Sequence, residues 1–500
     1  MMRFLIPLLI LGAVLSGCTD DPVAPDSSIT FLRGDIEARG QDELEQLRGL
    51  ERVEGSLHVW GAYDLSPLEH LVEVTETFEL FGLSATNLNA LDAFMVGRDV
   101  MIVDCPYLST LSPALSWDLR DLTIRACNGL VEVSAAIDAR DVEISFCRSL
   151  RSIDGIEAED MDLIGLPSLE RISESVKMRK LLVEDCGSPF DLGLLANCSE
   201  KMWRCYLRDL DGVADMQGLP VFANMVELHL EGMPDLRDLT GLSGNESIGF
   251  LGVIECSDLV SLSGIEALPN LQTLHINYNH ALESMAGLGL GLGGLNTIMV
   301  YGNSVLTDVS ALAEQDLGTD ISIQQNAMLM SLEALSGHQR LETLNLSGFQ
   351  TLTDFSGLTD VPLLKKLEID GFEDLESLSG LESIVELDDL ELESLPSLEQ
   401  IDLPLRFTSL ANLRISDCDQ LGSCDGLDHV TWVASLYIDH NDGLMTLSGL
   451  DALVVVSRLS INLNPLLSQC EIDVFADQFQ LASYDWWGNG PCVPPAAKGR

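Results

Sequence analysis

A repeat with a nearly constant period of 23 residues runs through about half of this chain. Its unit reads L-x-L-x-x-[N/C/F/L/M]-x-x-L-x-x-[L/M/V/F], and ten of the eleven intervals between successive unit starts are 23 residues, the other being 24. A unit this short cannot bury its own apolar edge, so neighbouring units must stack around one shared core. The starts are Cys205, Leu228, Leu251, Leu274, Ile298, Ile321, Leu344, Leu367, Leu390, Leu413, Leu436 and Leu459.

A looser form of the same unit precedes the regular array. Its starts are 19 to 24 residues apart, and Gly34-Asp35-Ile36 can begin one further capping turn. The chain therefore predicts nineteen stacked units with a cap before them. The looser starts are Leu57, Phe78, Val100, Leu122, Val142, Met161 and Leu181.

The spacing inside one unit predicts its local structure. Leu274 and Ile276 are two residues apart, so they point inward while the residues between and beside them point outward. Leu282 and Met285 follow at a spacing of three, which suits a tight turn or one turn of 3₁₀ helix. We expect a mainly β repeat solenoid of ~23-residue turns, with short parallel strands about 4.8 Å apart and few or no regular helices.

The sixth position of the unit carries Asn or Cys in many units and an apolar Phe, Leu or Met in several others. A buried Asn there can bond the backbone where a strand ends, and Cys fills the same space as a weak donor. The residues are Cys105, Cys127, Cys147, Cys186, Cys256 and Cys418 in some units, and Asn279, Asn303, Asn326, Asn441 and Asn464 in others.

Two stretches resemble known families. LNLSGFQTLTDFSGL, residues 344–358, resembles the leucine-rich repeat of bacterial internalins, and VEGSLHV, residues 53–59, resembles the receptor L domain. The resemblance covers residues from about 34 to 492. It implies a right-handed solenoid that binds a partner without catalysis.

Three segments of fold are expected on this basis. Residues 29–204 are irregular receptor-L-like repeats with an N-terminal cap, residues 205–469 are regular repeats, and residues 470–500 are a C-terminal cap and tail. Cys470 and Cys492 flank a segment that leaves the repeat, so a disulfide between them would close the cap. Cys198 with Cys205 is a second predicted bridge.

The amino terminus has the order of an export signal. A basic start and an apolar run occupy residues 1–17, and Leu15-Ser-Gly-Cys18 resembles the lipobox of bacterial lipoproteins, which implies acylation of Cys18. A conventional cleaved signal is the alternative. Residues 18–28 predict a flexible tether, and Asp20 at the third position favours the outer membrane over the inner. We expect a lipid-anchored protein of the bacterial cell envelope, on its periplasmic or surface face.

The charge narrows the choice of partner. The chain has 27 Lys and Arg against 79 Asp and Glu, a net charge of −52, while 46% of its residues are hydrophobic. A phosphate backbone would be repelled, so nucleic acid is not an expected partner. The only expected membrane contact is the lipid anchor.

The outward strand positions supply the candidate binding residues. They form a mixed aromatic and polar strip that suits a protein or glycan partner. The partner-binding candidates are Tyr206, His229, His275, Met299, Tyr301 and Tyr437.

Four outward carboxylates form a second candidate site. Stacking would place Glu368 beside Glu391 and Asp370 beside Glu393, where like charges repel unless a cation lies over them. Calcium is the hypothesised ion, and no other cofactor is expected. The alternative is an acidic surface that solvent and salt screen.

No enzyme motif accompanies these sites. The sequence contains no G-x-S-x-G elbow, H-E-x-x-H or P-loop, and residues 205–467 carry no insertion larger than one residue. A non-catalytic binding protein is therefore predicted. The alternatives are a polysaccharide-processing parallel β-helix enzyme and a passive calcium-binding envelope component.

Overall fold

The structure is a computed structural model. It describes residues 30–91, 94–111, 115–172, 177–198, 201–288, 292, 294–384, 386–404 and 407–492. The predicted signal, Cys18 and the tether lie outside the described residues.

One long parallel sheet, here called the main sheet, runs along the whole molecule. Its strands pair in chain order, from Ile36–Arg39 beside Leu57–Trp60 to Ser483–Asp485 beside Val455–Asn462. The strands are Ile36–Arg39, Leu57–Trp60, Thr77–Phe81, Asp99–Val103, Ser116–Arg125, Ala136–Ser145, Ile156–Ile164, Lys180–Glu184, Arg204–Arg208, Glu227–Glu231, Phe250–Ile254, Thr273–Asn277, Thr297–Tyr301, Asp320–Gln324, Thr343–Ser347, Lys366–Asp370, Asp389–Glu393, Ser409–Ser416, Trp432–Asp439, Val455–Asn462 and Ser483–Asp485.

The predicted solenoid is confirmed. All nineteen predicted unit starts lie in strands of the main sheet, and Ile36–Arg39 adds the predicted capping turn. The strand Ser483–Asp485 was not predicted, because its 25-residue distance from the preceding unit and its aromatic neighbours hide the pattern. The C-terminal cap therefore adds one more paired strand to the main sheet whose end it covers.

The connections on the other sides of the turns carry little regular structure. Within the described ranges, two small parallel sheets join the early turns, and two α-helices, Gln41–Glu45 and Gln469–Ala476, lie near the two ends. The small-sheet strands are Phe31–Arg33, Arg52–Glu54, Glu73–Val74 and Met95–Val96 in one, and Thr110–Leu111, Glu132–Val133, Ser152–Ile153 and Arg171–Ile172 in the other. The 3₁₀ helices are Ser66–Leu68, Asn89–Leu91, Leu192–Asn197, Ile265–Ala267, Ser310–Glu314, Glu333–Leu335 and Leu381–Ser383.

The alternation of the strands produces one continuous core. In Thr273–Asn277 the second and fourth side chains are buried and the other three are half-buried, as the period of two requires. Buried apolar side chains form a single cluster from Ala38 to Ala476. The same outward positions therefore line up from turn to turn along one side of the main sheet, here called the strand face.

Where Asn or Cys occupies the sixth position, it connects neighbouring turns at the corner after the strand. The Asn303 side chain donates to the Ile276 carbonyl at 2.8 Å and accepts from the Asn279 backbone N–H at 2.9 Å. Cys256 occupies the same corner in its own turn, where its sulfur lies 3.6 Å from the Ile254 carbonyl oxygen and 3.9 Å from that of Leu230. Asn303 thus satisfies two backbone groups of the preceding turn, and Cys256 fills the same space as a weak donor, as predicted.

The residue before this corner adopts a left-handed backbone conformation. Glycine occupies it in several turns, but Tyr278 (φ 57°) and Phe146 (φ 56°) also occupy it. Each ring lies over a glycine of the next turn. A Cβ added to Gly302 would come within 2.7 Å of the Tyr278 ring, and one added to Gly165 within 2.8 Å of the Phe146 ring. An exposed aromatic side chain is thereby held out at the end of a strand despite backbone strain.

Candidate functional site

Four aromatic side chains on the strand face form a continuous stack, here called the aromatic column. Tyr206 and His229 stack with ring centroids 4.3 Å apart and planes 16° from parallel. His229 stacks on Phe250 at 4.6 Å, and Phe250 meets His275 edge-on at 4.9 Å. Three of the predicted partner-binding residues therefore lie in one cluster.

Phe250 was not among the predicted binding residues. Its strand carries Gly252 at the position where the neighbouring strands carry His229 and His275. A Cβ on Gly252 would come within 3.3 Å of the Phe250 ring, so the ring leans into the space that glycine leaves open. The pairing of an aromatic residue with a glycine two positions later is the signal that could have identified it.

Ion pairs border the column on both sides. Arg204 Nε lies 2.9 Å from a Glu227 carboxylate oxygen, and Arg208 Nε lies 2.8 Å from one of Glu231. The Arg208 guanidinium also lies over the Tyr206 ring, 5.7 Å from its centroid. An aromatic centre with a rim of paired charges is the usual anatomy of a protein-binding surface.

The two histidines of the column favour the neutral form. Burial lowers the pKa of His229, although the nearby Glu227 carboxylate opposes this effect. Burial also lowers the pKa of His275. At neutral pH the column is therefore an uncharged surface.

The remaining candidates extend the column or lie apart from it. Met299 is next to His275 in register, and Tyr301 meets Tyr278 edge-on at 5.0 Å. Tyr437 lies six strands beyond Tyr301, about 29 Å at the usual strand spacing, beneath the Arg414 guanidinium. The structure therefore brings five of the six predicted residues into one region and leaves Tyr437 outside it.

The four acidic candidates occupy the predicted register. Glu368 pairs with Glu391 and Asp370 with Glu393, and the Lys366 ammonium contacts Glu368 and lies 3.8 Å from Glu391. Among the described residues, no group of three or more His, Cys, Asp or Glu side chains is arranged to hold a metal ion. The lysine partly offsets the repulsion for which calcium was invoked, and calcium binding itself stays a prediction.

The cysteine predictions meet different outcomes. Cys470 and Cys492 form a disulfide, which joins the start of the helix Gln469–Ala476 to the end of the cap. The predicted bridge between Cys198 and Cys205 is wrong, since both are free thiols. Cys205 points into the core from its strand and Cys198 ends the 3₁₀ helix Leu192–Asn197, so each packs as a small apolar side chain and burial raises both thiol pKa values.

Surface hollows lie away from the column. One of about 550 Å³ is lined by turn residues between Met330 and Thr359, and one of about 410 Å³ by residues between Met95 and Gly155. Neither contains a residue of the column. Within the described ranges, no helix has the length and apolarity needed to cross a membrane.

No protein-family model matches this chain, and no curated protein is significantly similar to it. Solved structures with a similar fold include a leucine-rich repeat protein from Bacteroides eggerthii, at 14% identity and TM-score 0.39, covering 87% of this chain and 70% of that one. An internalin from Listeria monocytogenes is similar at 15% identity and TM-score 0.23, with 90% and 78% covered. The TLR13–ssRNA13 complex is similar at 14% identity and TM-score 0.30, with 89% and 86% covered. At such low values these likenesses assign neither a family nor a function to this chain.

Proposed function

We propose that this chain is a non-catalytic binding protein that holds a protein or glycan partner against its strand face. The observation that carries the proposal is the aromatic column, in which Tyr206, His229, Phe250 and His275 present one uncharged surface from four consecutive strands. Aromatic side chains in such positions are the residues that most often dominate binding energy. The sheet beneath them is hydrogen-bonded from turn to turn, so the column is organised before a partner arrives.

Affinity capture tests this proposal. The full-length chain and a variant carrying Tyr206→Ala, His275→Ala and Tyr301→Ala would be immobilised and exposed to the same envelope and extracellular extracts. A partner held by the native chain and lost by the folded triple variant is the expected result. A partner retained by both, or no partner at all, would count against binding through the strand face.

We further propose that the protein is anchored in the bacterial outer membrane through a lipid on Cys18. The support is the order of residues 1–28, a basic start, an apolar run, Leu-Ser-Gly-Cys and a polar tether. Mass spectrometry of the N-terminal peptide would show the acyl groups on Cys18, and Cys18→Ser would release the protein from the membrane fraction. An unmodified peptide from native protein would reject the anchor.

Calcium binding by Glu368, Asp370, Glu391 and Glu393 is a separate proposal. Titration calorimetry of the full-length chain with millimolar calcium would give heat that is lost on Glu391→Gln with Glu393→Gln. The absence of heat from the native chain would leave these carboxylates as a screened acidic surface.

A further inference from the structure

The rings of the aromatic column cover one another's faces. Tyr206 and His229 are nearly parallel at 4.3 Å, and His229 and Phe250 are 30° from parallel at 4.6 Å. The Lys180 ammonium and the Arg208 guanidinium also lie over the Tyr206 ring, at 5.9 and 5.7 Å from its centroid. Tyr206, His229 and Phe250 therefore present mainly their ring edges to a partner.

The edge of an aromatic ring differs chemically from its face. The face carries the negative part of the ring quadrupole and the edge the positive part. A sugar ring that packs its C–H groups on an aromatic residue requires a free face, and the parallel stack of Tyr206, His229 and Phe250 leaves little of any face open. Ring edges instead suit carbonyl oxygens and the faces of a partner's own aromatic side chains.

The strand residues that surround the column have no net charge, although the whole chain has a charge of −52. Over the six strands from Lys180–Glu184 to Thr297–Tyr301, three basic side chains on the strand face are matched by three acidic ones, and the last three strands contain no Asp, Glu, Lys or Arg. The basic residues are Lys180, Arg204 and Arg208, and the acidic ones are Glu184, Glu227 and Glu231. A partner that fits this region has no need of a basic surface.

We infer that the partner of the aromatic column is a protein that presents an uncharged apolar patch, with backbone carbonyls and aromatic or aliphatic side chains. This inference rests on the proposed function and narrows its partner from protein or glycan to protein. Tyr and Arg, which form the column's first ring and its border, are the residue types enriched in the centres of protein interfaces.

The experiment compares two kinds of probe on the immobilised full-length chain. One is a library of random twelve-residue peptides displayed on phage, and the other is a panel of soluble glycans: maltoheptaose, chitohexaose, polygalacturonate and heparin. We expect selected peptides to be rich in aromatic and aliphatic residues with a net charge near zero. We expect no glycan of the panel to bind in a way that depends on the column.

Point variants locate the binding. Tyr206→Ala and Phe250→Ala should each lower the affinity for a selected synthetic peptide at least tenfold. Gly252→Val should also lower this affinity, because the added side chain displaces the Phe250 ring. All four aromatic residues of the column remain in this variant. Tyr107→Ala, at an exposed tyrosine away from the strand face, is the matched control and should bind as the native chain does. An unchanged unfolding midpoint would show that each variant is folded, and Tyr206→Phe provides a milder change should Tyr206→Ala not fold.

Two results would overturn the inference and leave the proposed function standing. One is a glycan that binds and is lost in Tyr206→Ala and Phe250→Ala. The other is a set of selected peptides rich in Lys and Arg that still require the column. Two other results would count against both the inference and the proposed function. One is peptide binding that no column variant changes, and the other is a library from which no binding peptide is selected.

Discussion

At the scale of single residues, the sixth position shows how one side chain can replace another without any change in the turn. Asn303 donates to a carbonyl of the preceding turn and accepts a backbone N–H from it, and the Cys256 thiol reaches the equivalent carbonyl in its own pair of turns. A side-chain amide has a strong donor and a strong acceptor of hydrogen bonds, whereas a thiol is weak as either. The occurrence of both Asn and Cys at this position has its physical reason in this shared geometry.

This equivalence predicts the effect of two substitutions at one site. Asn303→Ala should lower the free energy of unfolding by about 2–4 kcal/mol, because it leaves the Ile276 carbonyl and the Asn279 N–H buried without partners. Asn303→Cys should recover part of this loss, since Cys256 occupies the same corner in its own turn. Urea unfolding followed by circular dichroism measures both, and equal losses in the two variants would refute the equivalence.

A buried histidine predicts a pH dependence. The His338 side chain is 6% exposed and bonds the Ala334 carbonyl through Nε2 at 3.0 Å. Burial lowers its pKa in the folded chain, whereas an unfolded histidine titrates near ~6.5. Below that pH the unfolded chain takes up a proton that the folded chain resists. The stabilisation is therefore complete above about pH 6.5 and is lost as the pH falls towards the folded pKa.

His338→Gln tests this sign. The variant keeps a donor for the Ala334 carbonyl but does not titrate, so its unfolding free energy should fall less than that of the native chain between pH 7.5 and 5.5. Parallel denaturation curves at several pH values provide the comparison. The same fall in both proteins would show that His338 does not contribute.

At the scale of elements, the C-terminal cap shows how the ladder of turns is closed. The Glu471 carboxylate of the last helix accepts from the Thr446 hydroxyl and the Leu447 N–H, both at 2.7 Å. Asn489 continues the ladder of corner asparagines by accepting the Asn464 N–H at 3.1 Å. The Cys470–Cys492 disulfide then fixes the two ends of this segment to each other.

Opening the disulfide should loosen the cap before the rest of the molecule. Cys470 and Cys492 are 22 residues apart, and a loop of that length corresponds to about 3 kcal/mol in the chain-entropy account. We expect reduction, or Cys470→Ser with Cys492→Ser, to increase amide exchange in residues 455–492. Exchange in Arg204–Arg208 and Glu227–Glu231 should stay unchanged, and equal acceleration there would contradict a local effect.

The elements differ in how far the sequence predicts them. Strands of the main sheet are predictable because a period of two combines with a fixed spacing, which also predicts the register of Glu368 with Glu391. The small early sheets have strands as short as Glu132–Val133, too short to show any period. Phe250 and Tyr278 were missed for other reasons. The Phe250 ring leans across Gly252, and Tyr278 itself has a left-handed backbone conformation. Sequence spacing reveals neither feature.

At the scale of the whole molecule, like charges stacked along the main sheet oppose the fold. In-register pairs such as Asp370 and Glu393 recur in a chain whose net charge is −52. At 0.1 M salt the Debye length is about 10 Å, or about two turns, and repulsion between exposed charges farther apart than this is largely screened. The ionic strength should therefore affect stability more than in a protein of balanced charge.

The unfolding temperature should rise as sodium chloride increases from about 0.02 to 0.5 M, because screening reduces this repulsion. Differential scanning calorimetry measures the shift. Calcium chloride at matched ionic strength separates screening from specific binding, since only a bound ion would raise the midpoint further. A midpoint that falls or stays constant with added salt would show that the repulsion is already offset within the fold.

The left-handed residue recurs along the described turns, and the corner bond recurs where Asn or Cys occupies the sixth position, so that each turn is connected only to its neighbours. Removing one whole unit, such as residues 298–320, would therefore join two turns whose strands pair in the same register and whose corner residues, Asn279 and Asn326, are both asparagines. The length of the solenoid therefore changes in steps of one strand spacing, about 4.8 Å. The distance between the aromatic column and the C-terminal cap is therefore set by the number of units between them, and removing or adding a unit would change it by one strand spacing.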